Sequence, residues 1–148
     1  MRLRRILQLA LGAIAFVAIL QFVPYGRNHV NPPLGAEPAW SSPEVRALAV
    51  RSCFDCHSNE TRWPWYSQVA PLSWIIQQHA EEGRSVLNFS DWAAPQPEAA
   101  EAAESVRDGE MPIGSYELMH PEARLSSSER QQLIVGLETM TGRSRKHE

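Results

Sequence analysis

The chain has 148 residues and a mass of 16.6 kDa, which is enough for one domain with additional segments at its ends. It carries 14 Lys and Arg against 17 Asp and Glu, a formal net charge of −3, and 43% of its residues are hydrophobic. These values exclude a collagen, an acidic disordered tail and a strongly basic nucleic-acid-binding domain. We therefore expect no nucleic acid among its partners.

The N-terminal end is typical of a membrane anchor. Three arginines within the first five residues precede residues 6–23, which contain two glutamines and no charged residue. As a helix rising about 1.5 Å per residue, this segment spans roughly 27 Å, close to the hydrocarbon thickness of a bilayer. A cleaved signal peptide has the same basic start, but no small-x-small cleavage pattern follows the apolar run. The sequence predicts an uncleaved anchor at residues 1–23, with a removed signal peptide as the alternative.

The basic residues before the apolar run predict the orientation of the chain. Arginines are retained on the cytoplasmic side, so the N-terminus is expected in the cytoplasm and the rest of the chain is expected to be exported. From Pro24 onward there are 11 Lys and Arg against 17 Asp and Glu, a formal charge of −6. We expect an acidic domain that docks to partners with a basic face.

Four prolines lie in the segment that follows the anchor, and this composition favours extended backbone. Residues 24–41 are therefore predicted to be a Pro-rich linker or stalk, and His29 within it a solvated histidine. Residues 42–140 are predicted to form the folded domain, and residues 141–148 a polar tail.

The folded domain is predicted to be all-α, because no stretch alternates in hydrophobicity with a period of two. The first helix begins after Ser42, a good N-cap, and its apolar face continues to Cys53 and Cys56. Later helices are predicted at residues 71–82, ended by Gly83, at residues 97–108, ended by Gly109, and after the capping box of Ser126 and Glu129. The inner stripe of the 71–82 helix is predicted to be Leu72, Ile75, Ile76, His79 and Ala80. Residues 58–70 and 110–125 are predicted to be long loops, which a large apolar cofactor would order.

Cys53 and Cys56 are the two cysteines of the chain, and His57 follows directly. Thiols at this spacing can each add to a haem vinyl group while the next histidine binds the iron, so C-x-x-C-H is the attachment spacing of c-type haem. The motif predicts one covalent haem c, with thioethers to Cys53 and Cys56 and with His57 as the proximal iron ligand. A thioredoxin-like dithiol, a zinc site and a short disulfide are the alternatives.

The second axial ligand is predicted to be Met111, which lies in the sequence Gly-Glu-Met-Pro just after a helix stop. A His/Met-ligated haem is an electron-transfer centre of relatively high potential. His79 is the chief rival, and Met119 and His120 are further candidates. If none of them binds the iron, the open site suits a sensor or a protein that binds gas or peroxide.

Aromatic and basic residues follow the motif. The aromatic residues are predicted to pack in the core or to hold a haem propionate through a polar N–H or O–H group. Arg62 and Arg84 could do the same by charge. The aromatic set is Trp63, Trp65, Tyr66, Trp74 and Trp92.

Several motifs together resemble the bacterial haem-binding domain family of small, membrane-anchored c-type cytochromes. They are CFDCHSNET (53–61), WPWYS (63–67), VAPLSW (69–74), EGR (82–84), LNFSDW (87–92), GEMP (109–112), Tyr116 and HPEARLS (120–126). The resemblance covers roughly residues 21–140. It implies a cytochrome c-like all-α fold, covalent haem at Cys53 and Cys56, and His57 as an axial ligand. We expect an electron carrier for periplasmic or membrane redox proteins, with no catalytic residues.

Overall fold

Within residues 2–142, which the computed structural model describes, the chain forms helices and no β-strand. The predicted all-α fold class is therefore confirmed. The α-helices of these residues are α1 (Arg2–Leu20), α2 (Pro43–Ser52), α3 (Phe54–His57), α4 (Leu72–Val86), α5 (Ala102–Asp108), α6 (Gly114–Met119) and α7 (Ser127–Met140). Short 3-10 helices lie at Trp65–Gln68 and Pro121–Ala123. Most of the predicted polar tail, residues 143–148, lies outside the described residues.

The described residues divide into two compact units. The small unit comprises residues 2–30 and 63–79, and the large unit comprises residues 31–62 and 80–142. Helix α4 begins in the small unit and ends in the large unit.

Helix α1 is long and apolar enough to cross a membrane. None of its residues is buried, whereas a helix of this composition in the core of a soluble protein would be mostly buried. The structure therefore has one N-terminal apolar helix that could span a membrane. A signal sequence has the same length and composition.

The small unit is held together by hydrogen bonds around Gln21, the first residue after α1. Its side chain donates to the Ala70 carbonyl oxygen at 2.9 Å and accepts from the Ala70 N–H at 3.0 Å. The Arg27 guanidinium donates to the backbone and side-chain oxygens of Gln21, each at 2.8 Å. Gly26, at a φ of 75°, lies against the Ser73 carbonyl, where a Cβ would overlap the oxygen. The end of α1 is thus tied directly to the start of α4.

The segment after α1 has turns and no regular secondary structure, and positive φ values at Gly26 and His29 interrupt the predicted extended backbone. It is not a free stalk. His29 lies in the small unit, where its Nδ1 accepts from the Gln68 side chain at 2.7 Å and its ring stacks on Trp63. The interpretation of His29 as a solvated linker histidine is therefore wrong. In the large unit, Asn31 donates to the Thr61 carbonyl at 3.0 Å, and Glu37 pairs with Arg46. The backbone of this segment also finds partners, because the Gly35 N–H donates to the Ser90 carbonyl at 2.8 Å and the Ala36 carbonyl accepts from the Trp92 N–H at 2.9 Å.

The predicted capping residues are confirmed. The Ser42 hydroxyl accepts from the Val45 N–H at the start of α2. Ser126 and Glu129 form both hydrogen bonds of a capping box before α7. Gly109 ends α5 at a φ of 77°, a conformation that glycine adopts without strain. These local signals depend on neighbouring residues alone, so tertiary packing does not override them.

Other predicted boundaries and faces are wrong. Helix α4 continues through Gly83 to Val86, and α5 begins at Ala102 instead of residue 97. The predicted loops contain both 3-10 helices and α6. The inner stripe assigned to α4 is also wrong at Leu72 and Ile75, which are 44% and 47% exposed. Gly83 is needed for close packing instead of helix termination, because a Cβ there would lie 2.6 Å from the Cys56 carbonyl oxygen.

The core of the large unit lies where α2 and α5 pack against α7. Gly136 of α7 lets the helices approach closely, because a Cβ there would overlap the side chain of Val45 in α2. An aromatic cluster continues this core beyond the helices. Its members are Trp40, Phe54, Phe89 and Trp92, with neighbouring ring centroids 5.2–6.3 Å apart.

The contact between Gly83 and Cys56 predicts that Gly83→Ala destabilises the protein. Alanine favours a helix by about 1 kcal/mol over glycine, but the clash with a backbone oxygen costs about 1–3 kcal/mol of overpacking and displaces the motif. We expect a lower free energy of unfolding in urea, measured by circular dichroism in detergent solution. Gly114→Ala is the matched control, because nothing lies within 4 Å of a Cβ at that helical glycine. Equal stability of Gly83→Ala and the wild type would contradict the packing argument.

Candidate functional site

The two cysteines lie in one helical turn because the chain changes direction at Cys53. There α2 ends, at a φ of −127° and a ψ of −35°, and α3 begins with the next residue. The N–H groups of Cys56 and His57 both donate to the Cys53 carbonyl, at 3.1 and 2.9 Å. The sequence predicted that the apolar face of α2 continues to Cys56, but this helix ends at Cys53. The two cysteines are nevertheless one helical turn apart along the chain.

Both thiols are free and half-buried. Burial raises the pKa of Cys53 to about 11, and burial together with nearby Asp55 raises the pKa of Cys56 to about 11. A redox-active dithiol instead needs a lowered thiol pKa, and it usually follows a β-strand. Within residues 2–142, no three His, Cys, Asp or Glu side chains form a group that could hold a metal ion. The geometry thus gives little support to a thioredoxin-like or a zinc site.

His57 is held in one orientation and one tautomer. Its Nδ1 lies 3.0 Å from the Gly83 carbonyl oxygen and 3.1 Å from the Leu87 carbonyl oxygen. Because a carbonyl only accepts, Nδ1 carries the proton and Nε2 keeps its lone pair. Burial lowers the pKa of His57, which favours this neutral form. A neutral imidazole with its second nitrogen bonded to a backbone carbonyl is the usual state of a metal-binding histidine.

A cleft of the large unit lies beside Cys53 and His57 and has Met111 in its lining. Its cavity volume is about 70 Å³. Apolar side chains form most of the wall, and Glu98 and Glu101 are the two charged residues in it. The apolar wall consists of Val86, Leu87, Phe89, Ala102, Val106, Pro112 and Leu137. An apolar cleft with few polar groups is typical of a cofactor site.

Met111 reaches the cleft because of the way α5 ends. The N–H groups of Glu110 and Met111 both donate to the Ser105 carbonyl, at 3.0 and 3.1 Å, after the left-handed turn at Gly109. Pro112 is buried, whereas the Met111 residue is 36% exposed. The backbone of this segment is thus fixed while the thioether stays near the surface of the cleft.

The rival ligands are not part of the cleft lining. His79 belongs to the part of α4 in the small unit. Met119 ends α6 and is 53% exposed. The His120 ring stacks on Tyr116, and its Nδ1 lies 3.2 Å from a Glu122 carboxylate oxygen. Of the methionines and histidines proposed as the second ligand, the structure brings Met111 to the same cleft as His57.

The residues predicted to hold a propionate have other contacts. Neither Arg62 nor Arg84 lines the cleft. Arg84 donates to the Ser58 carbonyl at 2.7 Å and to side-chain oxygens of Asn31 and Thr61 at 2.9 and 2.6 Å. Burial lowers the pKa of Arg84. Among the aromatic residues, Trp92 stacks on Phe89, whereas Trp65 is 80% exposed and therefore not a core residue.

Asp55 forms a network that the sequence reasoning missed. This buried carboxylate, between the two cysteines, accepts three hydrogen bonds from Arg62 at 3.0–3.2 Å. It also accepts from the Tyr116 hydroxyl at 2.6 Å. Burial and this hydrogen bond raise the pKa of Tyr116 well above its usual value. A charged residue in an otherwise apolar helical turn was the available signal, because a buried charge needs partners. The network joins α3 to α6, which follows the Met111 segment.

Comparison with known proteins agrees with this geometry. The chain matches the haem-binding domain family over residues 15–139, well over half of its length. The chain belongs to the haem-binding domain family. No curated protein and no solved structure matches it. Membership supports haem binding, and the matched range includes every residue that lines the cleft.

The residues of this haem-binding domain fit the group that its family binds. Two free thiols one helical turn apart suit attachment to vinyl groups, and the His57 Nε2 lone pair suits iron. The apolar wall would suit a porphyrin, and the Met111 thioether in the lining could bind its iron. Cys53 and His57 are in the same lining, whereas Cys56 is not.

The Asp55 network predicts an energetic coupling between Asp55 and Tyr116. Hydrogen bonds to a charged group contribute about 1.5–3 kcal/mol, so Tyr116→Phe should lower the free energy of unfolding by about that amount. In an Asp55→Ala background the same change should have almost no effect, because its partner is gone. Chemical unfolding of the four variants of this double-mutant cycle measures the coupling. An equal cost of Tyr116→Phe in both backgrounds would show that the hydroxyl and the carboxylate act independently.

Proposed function

We propose that this haem-binding domain is a membrane-anchored monohaem c-type cytochrome that carries single electrons in the periplasm. The observation that carries the proposal is the state of His57. Its Nδ1–H is held by the carbonyls of Gly83 and Leu87, so Nε2 is the basic nitrogen, and His57 lines the same cleft as Met111. A bound haem c would supply reversible one-electron chemistry at iron.

The chain's own residues would have distinct tasks in such a carrier. Cys53 and Cys56 would hold the haem covalently, and their short helical turn would fix its orientation relative to His57. The hydrogen bonds to Nδ1 would raise the basicity of the imidazole and prevent its rotation. The apolar wall would exclude water, and the rigid helices around it would keep the site similar in both oxidation states.

Met111 is proposed as the second axial ligand. The hydrogen bonds of its segment to Ser105 and the buried Pro112 hold the backbone beside the cleft that Met111 lines. Its partial exposure also favours a second candidate function, in which the distal position stays open and the protein senses or binds a gas or peroxide.

Residues 6–23 are proposed to anchor the protein in the bacterial inner membrane, with the N-terminus in the cytoplasm and the large unit in the periplasm. The exposed apolar surface of α1 and the arginines that precede its apolar part support this orientation. The acidic balance beyond Pro24 supports redox partners with a basic face. Glu98 and Glu101, both exposed and in the cleft lining, are the charges such a partner would meet.

Absorption spectra of the protein, purified from a bacterium that attaches c-type haem, test the function and the ligands. We expect haem to stay with the polypeptide in acidified organic solvent and to be extracted from the Cys53→Ala/Cys56→Ala variant. The ferric protein should show a sulfur-to-iron charge-transfer band that is lost in Met111→Ala. The band should persist in the control variants Met119→Ala and His79→Ala.

Three results would contradict parts of the proposal. Extraction of haem from the wild type would exclude covalent attachment. Persistence of the band in Met111→Ala would assign the ligand to another residue. Absence of the band at the outset, with rapid binding of carbon monoxide, would replace the electron carrier by the sensor or gas-binding protein.

The acidic cleft mouth predicts charge-dependent electron exchange. Reduction of the purified protein by a cationic ruthenium complex should be faster than by a ferrocyanide-type anion of matched driving force, and the ratio should fall as ionic strength rises. Glu98→Gln/Glu101→Gln should reduce the ratio. Glu104→Gln/Asp108→Gln, two exposed acids of α5 outside the cleft lining, removes the same net charge and should reduce it less. Equal effects of the two double variants would exclude the cleft as the site of electron exchange.

A further inference from the structure

The small unit has an uncharged and partly apolar surface that the proposed function does not use. Residues 63–80 contain no Asp, Glu, Lys or Arg, although 21% of the whole chain is charged. Within this stretch, Trp65, Val69, Leu72 and Ile75 are exposed. Leu72 and Ile75 lie three positions apart on one face of α4, and the intervening Ser73 is buried. We refer to Trp65, Val69, Leu72 and Ile75 as the apolar face of the small unit.

The position of this face follows from the end of the proposed membrane helix. Gln21 directly follows α1, and its side chain makes two hydrogen bonds with the backbone of Ala70. Val69 and Leu72 are therefore within two residues of Ala70, which is hydrogen-bonded to the residue that follows α1. If residues 6–23 cross the bilayer, that point lies at the boundary between hydrocarbon and headgroups.

The charges of the small unit agree with this depth. Apart from the three arginines at its N-terminal end, Arg27 is the one residue with a permanent charge in the described part of this unit. Its guanidinium is hydrogen-bonded to Gln21. The cation therefore lies at the boundary between hydrocarbon and headgroups, where lipid phosphates are found. Tryptophan is enriched at this level of membranes because its ring is apolar and its N–H is polar.

We propose that the apolar face of the small unit lies in the outer interface of the membrane and contacts phospholipid. This inference rests on the proposed anchor. Exposed apolar patches mark either protein or membrane partners, and the direct link to the end of α1 identifies the lipid as the occupant. The contact adds a second attachment beside the membrane helix and restricts tilting of the small unit on the membrane.

Photo-crosslinking of the full-length holoprotein tests the proposal. p-Benzoylphenylalanine replaces Trp65, Leu72, Phe16 or Val135 in separate variants, each reconstituted in vesicles of phosphatidylethanolamine and phosphatidylglycerol. Phe16 reports the membrane helix. Val135 is the matched control, since it is 50% exposed and apolar but lies in α7 of the large unit. After irradiation, mass spectrometry of the protein detects covalently added phospholipid.

We expect phospholipid adducts at positions 16, 65 and 72 and no adduct at position 135. An adduct at position 16 with none at positions 65 and 72 would overturn the interfacial face while leaving the anchor intact. The absence of an adduct at position 16 as well would overturn both. Adducts of equal yield at positions 65, 72 and 135 would show that lipid contact is not specific to this face, and they would also overturn the proposal. Covalent haem, measured on the same samples, reports the proposed function independently.

Discussion

The hydrogen bonds from His57 Nδ1 to the carbonyls of Gly83 and Leu87 are the constraint on which the site depends. They join the C-x-x-C-H turn to the C-terminal end of α4, and they determine which ring nitrogen remains basic. The Leu87 oxygen can accept because it lies just beyond the end of α4, and the Gly83 oxygen accepts from His57 in addition to the Leu87 N–H, which lies 3.0 Å away. The absence of a side chain at Gly83 lets α4 approach the Cys56 backbone closely enough for the bonds to form. The end of α4, the close packing at Gly83 and the orientation of the His57 ring therefore depend on one another.

The Met111 segment of the cleft lining is held by separate hydrogen bonds of the same kind. Ser105 accepts from the N–H groups of Glu110 and Met111, which positions the methionine segment after α5. Asp55 then binds the Tyr116 hydroxyl of the next helix, so the chain beyond Met111 is tied back to the turn that carries the cysteines. One end of this segment is therefore held by α5 and the other by Asp55. The proposed electron carrier would benefit from such a frame, because a held backbone limits the reorganisation that accompanies a change of charge.

The sequence allowed prediction of features that depend on a few neighbouring residues. Ser42, Gly109 and the Ser126–Glu129 box define helix ends through their own hydrogen bonds or backbone conformation, and the C-x-x-C-H spacing follows from the geometry of a single helical turn. Features that depend on distant partners were missed. Gly83 is predicted to end a helix because glycine is common at helix ends, and the sequence near Gly83 gives no sign of its contact with Cys56. Asp55 and Tyr116 are 61 residues apart, so neither could be assigned a partner from spacing. His29 was read as solvated because its contact with Gln68 is equally distant along the chain.

The wrong inner face of α4 has a more general cause. Apolar residues at helical spacing indicate a helix face that is shielded from water. The pattern does not show whether the protein core or lipid shields that face. In a chain with a candidate membrane helix, lipid competes with the protein core as the apolar surrounding. Leu72 and Ile75 match a core pattern, yet they are exposed in the protein, beside the hydrogen bonds that tie Ala70 to Gln21. Where the backbone links such a stripe to the end of a membrane span, the absence of charges in the stripe distinguishes the two surroundings. The charged residues of α4, Glu81, Glu82 and Arg84, lie in its C-terminal half, whereas residues 63–80, which include Leu72 and Ile75, carry none.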